Sequence, residues 1–154
     1  MGKKVRAPTT FYRVEDEYSR ARLETGAGIV ARKQTRLTWN HAATVALVLD
    51  HLDWWSQKLS PFISAFDDLE RAQYEADRRK GEGHRDVVIC EIDTTRRWKK
   101  GRRGRKNVVP RAEYRNLTNY AETHDFDIPE VALNMSGCEW LFLNEIPECM
   151  IVRA

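Results

Sequence analysis

At 154 residues, with 42% hydrophobic and 32% charged side chains and a net charge of +3, the chain fits one globular domain with a proper core. This composition marks a globular rather than a disordered chain, and no apolar run reaches the length needed to cross a bilayer. Met1-Gly2-Lys3-Lys4 leads into Pro8-Thr9-Thr10 rather than an apolar stretch, which excludes a secretory signal or a myristoylation pattern at this end.

Residues 1–9 read as a flexible leader and 10–154 as a single domain. Thr10-Phe11-Tyr12-Arg13-Val14 is an aromatic and β-branched run, which predicts a strand. The charged stretch from Glu15 to Leu23 predicts a short helix, and Gly26 and Gly28 supply the backbone freedom for a turn after it. Between Thr38 and Lys58, Val45, Leu47, Val48, Leu49, Leu52 and Trp55 recur at helical spacing, with Thr38 or Asn40 as the cap and Ser60-Pro61 as the stop. Phe62-Ile63-Ser64-Ala65-Phe66 is a brief strand. Asp67, with Glu70 three residues on, has the pattern of a capping box for a charged surface helix running to about Lys80, which Gly81 and Gly83 end.

Asp86 to Asp93 is the clearest strand, apolar enough to be central. Pro110 to Glu122 predicts a helix with Tyr114, Leu117, Tyr120 and Ala121 on its inner face. Glu139 to Leu143 is another strand, Ile146-Pro147 a turn, and Cys149 to Val152 a closing strand. This order of elements suits an α+β fold with a mixed or antiparallel sheet and helices packed around it.

Three cysteines, Cys90, Cys138 and Cys149, cannot all pair and lack zinc-site spacing. The expectation is a reducing compartment, cytoplasmic or nuclear, with no structural disulfide and no metal; Cys90 reads as a buried thiol. His41, His84 and His124 sit in polar settings and are expected to face solvent. Trp39, Trp54, Trp55 and Trp140 read as core or cleft walls, and one of them, or Phe66, as a ring that stacks on a ligand.

The charge is unevenly placed. Arg96, Arg97, Lys99, Lys100, Arg102, Arg103, Arg105 and Lys106 put eight of the 26 basic residues into eleven positions around Trp98. Such a block repels itself and predicts an exposed loop. Three readings stand for it: a solvated loop with no task, a nuclear localisation segment, and a phosphate-contacting arm in which the tryptophan stacks and the arginines meet phosphates.

Three separated segments stand out together: Phe11-Tyr12-Arg13-Val14, Phe62-Ile63-Ser64-Ala65-Phe66, and Glu139-Trp140-Leu141-Phe142-Leu143 running into Ile146-Pro147. Their order and spacing resemble the Arg–Ser–Glu group of ADP-ribosyltransferases, the superfamily of cholera toxin. They are also similar to a family of fungal domains of unknown function with the same Phe-Arg-Val start and Pro-Phe-Ile-Ser segment, over roughly residues 10 to 152.

The resemblance implies an ADP-ribosyltransferase-like fold around a cleft for NAD⁺, the substrate. It implies that Glu139 stabilises the positive charge developing at the ribose carbon, that Arg13 offers a planar fork to the dinucleotide and grips it together with Ser64, and that Ser64 also holds Glu139 in its rotamer. His51, upstream of Ser64 on a helix, is assigned to the adenosine side.

The sequence departs from the pattern where arginine-modifying members carry Glu-x-Glu, since Gly137-Cys138-Glu139 has one glutamate, and where Ser-Thr-Ser is common, since Ser64-Ala65-Phe66 has one serine. The expected function is mono-ADP-ribosyl transfer from NAD⁺ to a protein or nucleic-acid acceptor. The alternatives are a catalytically silent module of the same fold, binding nucleic acid or an acidic partner through the basic loop, and a NAD⁺ glycohydrolase.

Overall fold

The computed structural model describes residues 7–19, 21–24, 27–35, 41–52, 59–100, 102–129, 133 and 137–153. The anticipated caps Thr38 and Asn40, and Trp39, Trp54, Trp55 and Gly26, lie outside them.

The architecture is mixed α+β, with antiparallel sheets and, among the described residues, the three helices named below. In chain order the elements are β1 (Thr10–Glu15), β2 (Leu23–Glu24), β3 (Gly28–Val30), α1 (His41–Leu52), β4 (Phe62–Phe66), α2 (Leu69–Gly81) and β5 (Val88–Asp93). There follow β6 (Trp98–Lys100), β7 (Lys106–Val108), β8 (Tyr114–Asn116), α3 (Leu117–His124), β9 (Glu139–Leu143), β10 (Glu145–Ile146) and β11 (Ile151–Arg153). Six strands form the main sheet in the order β11-β5-β1-β4-β9-β8; β10-β3-β2 form a small second sheet, and β6-β7 a separate hairpin. β5 is paired on both sides, yet β1 and β4 hold the middle of the sheet.

Strand alternation sends successive side chains to opposite faces, and each face has its own core. One face carries Val14, Phe62, Phe66, Leu141 and Leu143. They pack against Val48 and Leu52 of α1, Ala72 and Ala76 of α2, and Leu117 and Tyr120 of α3. The other carries Phe11, Ile63, Ala65, Ile92 and Phe142, which pack against Ile29 of β3, Ile146 of β10 and Met150. The small sheet needs a close backbone approach at Gly28, whose φ is +83° and where a Cβ would stand 2.2 Å from the Ile146 carbonyl oxygen.

Several local expectations are corrected. Glu15 to Leu23 is not a helix, because its acidic side chains turn inward. The Glu15 carboxylate accepts from Arg13 Nε at 3.1 Å and Leu23 N at 3.2 Å, while Asp16 builds a turn by accepting from Tyr18 N at 2.7 Å. The cap of α2 is Asp68, whose Oδ1 accepts from Glu70 N at 2.9 Å, while Asp67 is taken up by Trp140 Nε1 at 2.9 Å.

The stretch 110–122 splits. Tyr114 belongs to edge strand β8, and α3 begins only where Asn116 caps it by accepting from Thr118 N at 2.9 Å. Ile146 is in strand β10, separated from β9 by Asn144 at φ 68°, and a single 3-10 turn, Glu148–Met150, precedes the closing strand. The basic loop is a hairpin, with Trp98 opposite Val108 and Lys100 opposite Lys106.

Candidate functional site

The central strand β4 places Ser64 on the helix-covered face. Phe66 pairs with both Tyr12 and Glu139, so Tyr12, Ser64, Phe66 and Glu139 all leave the sheet on that side. Glu139 opens β9 at the diagonal position to Ser64, and the Ser64 hydroxyl hydrogen-bonds its carboxyl. The last turn of α1 then brings His51 over the pair, with Nε2 2.7 Å from Ser64 Oγ. His51 Nδ1 lies 2.7 Å from Ser60 Oγ, which itself accepts from Phe62 N at 3.0 Å. Residues 51, 60, 64 and 139 thus form one continuous hydrogen-bonded chain.

The polarity of this chain follows from its ends. With Glu139 ionised, the carboxylate only accepts, so Ser64 donates to it and His51 Nε2–H donates to Ser64, leaving Nδ1 to accept from Ser60. With Glu139 protonated, every one of these bonds can reverse, because a hydroxyl and a neutral imidazole each donate and accept. The bonds along the chain therefore persist in both protonation states of the carboxyl.

Glu139 is placed to use both states. Burial, with 9% of the residue exposed, pushes its pKa up to about 7; the Ser64 hydroxyl pulls it back, and the nearby Glu75 carboxylate adds to the rise while Arg79 opposes it. Glu75, on α2, is buried and clasped by Arg78 Nη2 at 2.6 Å and Arg79 Nε at 3.0 Å. Neither Glu75 nor Ser60 is among the anticipated site residues. Glu75 was nevertheless readable, because Ala72, Glu75, Ala76 and Arg79 share one face of a helix and the two alanines mark the inward side.

Arg13 stands apart. It neighbours Tyr12 in β1, so it leaves the sheet on the face opposite Glu139. All three guanidinium nitrogens donate inward: Nε to Glu15 at 3.1 Å, Nη1 to the Ser64 carbonyl at 2.9 Å and Nη2 to the Ala21 carbonyl at 2.8 Å. The β1–β4 ladder has the single register pair Tyr12↔Phe66, and beside it the Ser64 carbonyl is satisfied by this guanidinium. Burial depresses the pKa of Arg13 against the opposing pull of Glu15. The fork expected to meet a dinucleotide is thus spent on the fold, 8% exposed.

Other anticipated residues are also relocated. Phe66 is packed among Val14, Ala72 and Ala76 and has no face to offer a ligand. His84 does not simply face solvent; its Nδ1 lies 2.9 Å from Asp16 Oδ2, which Arg79 Nη1 also approaches at 3.2 Å. His124 is half-buried, stacked on Tyr120, and the side chain of His41 lies outside the described residues. Trp140 packs edge-on against Phe11 and Tyr114. All three cysteines are free, and burial pushes the Cys90 thiol up to about 11.

An open groove of about 440 Å³ lies beside edge strand β8, with Tyr114, Arg115, Tyr120 and Trp140 in its lining; it contains none of Arg13, His51, Ser64 or Glu139. Among the described residues, no cluster of three His, Cys, Asp or Glu side chains could hold a metal ion, and no helix is long and apolar enough to cross a membrane.

No curated protein matches the chain. A family model matches residues 6–154, and the chain therefore belongs to the family described as a domain of unknown function, DUF7587.

Proposed function

We propose that the domain is a NAD⁺-dependent mono-ADP-ribosyltransferase of ADP-ribosyltransferase-like fold, with Glu139 as its catalytic carboxylate. The observation that carries this reading is the meeting of His51, Ser64 and Glu139, far apart in sequence, in one hydrogen-bonded chain. When the bond between nicotinamide and the ribose C1′ breaks, the electron pair leaves with nicotinamide and positive charge develops at C1′. A fixed carboxylate beside that carbon stabilises the charge. A carboxylate with a pKa of about 7 also accepts the proton that a hydroxyl or amine acceptor sheds as it bonds to C1′.

Ser64 and His51 orient this carboxylate rather than grip the adenosine. Arg13, holding the Ser64 carbonyl, is a positioning residue. With water as acceptor the same centre is a NAD⁺ glycohydrolase.

One set of observations favours a second reading, a silent module of the same fold. Glu139 and Arg13 are both buried, and the open groove lies elsewhere. Nicotinamide release from NAD⁺, followed for wild type and Glu139→Gln, separates the two. The transferase reading expects a loss of at least about 100-fold in the variant, on the scale of removing one fixed electrostatic group. Equal turnover in both refutes the role given to Glu139, and no turnover with no NAD⁺-induced thermal shift in wild type leaves the silent module. Free ADP-ribose without labelled macromolecule identifies the hydrolase.

A further inference from the structure

The densest charge in the molecule takes no part in the chain from Ser60 to Glu139. Residues 94–112 contain nine basic side chains and no acidic one. They fold into the β6–β7 hairpin, which pairs with no other strand of the described structure. Its root is fixed. Val109 N donates to the Arg97 carbonyl at 2.7 Å, Arg97 Nε donates back to Val109 at 3.0 Å, and Val109 packs against the main core. Beyond that root the hairpin stands in solvent, with Trp98 61% and Val108 52% exposed as a cross-strand pair. Arg96, Arg103 and Arg105 are exposed and make no ion pair among the described residues.

This arrangement opposes its own stability. An isolated two-stranded ribbon is marginal in water, like charges directly opposite each other destabilise it, and the register sets Lys100 against Lys106. The large indole of Trp98 is spent on an outward position where it covers no core. Both costs are relieved by one kind of ligand, a polyanion that also carries flat apolar rings.

We propose that the β6–β7 hairpin binds single-stranded nucleic acid, with Trp98 stacked on a base and the surrounding arginines and lysines on the phosphates. An unpaired strand presents base faces to an outward indole, which a duplex keeps stacked on each other. An acidic peptide satisfies the charge but offers no ring to the tryptophan. The hairpin's role does not rest on the transferase reading.

The test uses the whole chain and a fluorescent single-stranded oligonucleotide, with anisotropy as the readout. For roughly five phosphate contacts, affinity falls about 100-fold between ~50 mM and ~200 mM salt. Trp98→Ala weakens binding about tenfold, as expected for loss of one stacked base. The double variant Arg103→Glu, Arg105→Glu loses binding near physiological salt, while Glu139→Gln binds like wild type. Circular dichroism checks that each variant is folded. The proposal is overturned if affinity is insensitive to salt, if Trp98→Ala binds as tightly as wild type, if a duplex binds at least as well, or if polyglutamate competes as effectively as the oligonucleotide.

Discussion

Replacing Glu139 by glutamine should make the protein more stable at alkaline pH, and the size of the gain follows from the burial of the carboxyl. Its pKa rises from 4.5 to about 7 on folding. A folded state that holds a proton more tightly than the unfolded chain is favoured by that group at low pH. The contribution is complete below the unfolded value and is lost as pH climbs through about 7. At ~1.4 kcal/mol for each tenfold in proton affinity, the full cost of ionising Glu139 is about 3 kcal/mol.

Glutamine does not titrate and can still accept from Ser64, so it escapes this cost. Urea unfolding of both proteins from about pH 5 to about pH 8 should show the difference growing by about 2–3 kcal/mol in favour of the variant. In melting temperature this is roughly 5–10 °C for a chain of this size. Parallel stability curves would mean that Glu139 ionises normally, and the argument for a tuned carboxyl would be wrong.

Other perturbations address neighbouring parts of the site. Ser64→Ala removes the hydroxyl that lowers the pKa of Glu139, so the rise of NAD⁺ turnover with pH should move to higher pH, while Ser64→Thr should keep the wild-type profile. Arg13→Ala leaves the buried Glu15 carboxylate without its cation and the Ser64 and Ala21 carbonyls without this donor, which should cost about 3–5 kcal/mol in urea unfolding. Arg13→Lys, folded but looser, should lower kcat with KM for NAD⁺ little changed; a raised KM at constant kcat would restore the dinucleotide fork. Gly28→Ala combines a strained φ with a backbone clash and should cost at least about 1–3 kcal/mol, read as a lowered Tm.

On the acid side the sign is reversed. Burial works against the Asp16 charge, but His84, Tyr18 N–H and Arg79 together hold its carboxyl below the usual range. Its contribution is present above the unfolded value and lost as pH falls through the folded one, so Asp16→Asn should flatten the acid limb of the stability curve.

Strands rich in aromatic and β-branched residues were legible because their pattern reflects burial directly; Phe62–Phe66 and Glu139–Leu143 have the bounds their composition implies. The errors lie where charge was taken as a sign of solvent. Glu15 and Asp16 look like the start of a surface helix, and Glu75 like an exposed charge of the helix after Asp67, but each is partnered by an arginine or histidine that is two residues away, one helical turn away or distant in sequence. Sequence gives the valence of such residues and not their partners. Tyr114 misled for another reason. Its spacing with Leu117 and Tyr120 fits a helix, and only the capping character of Asn116 marks where strand gives way to helix. Of the anticipated site, Ser64, His51 and Glu139 come together, whereas Arg13 shows what a motif cannot state: which side of the sheet a residue leaves from.

Ser64 explains how two groups on opposite faces can still depend on each other. Its side chain belongs to the helix-covered face and carries the link between His51 and Glu139, while its carbonyl lies in the plane of the sheet and accepts from Arg13. The guanidinium and the hydroxyl that lowers the pKa of Glu139 therefore meet at one residue. β4 is paired with β9 at every position from Phe62 to Phe66 but with β1 at one register pair only, so on the β1 side the arginine supplies the contact at Ser64. Arg13 and Glu139 are thus linked through a single residue rather than through a shared groove.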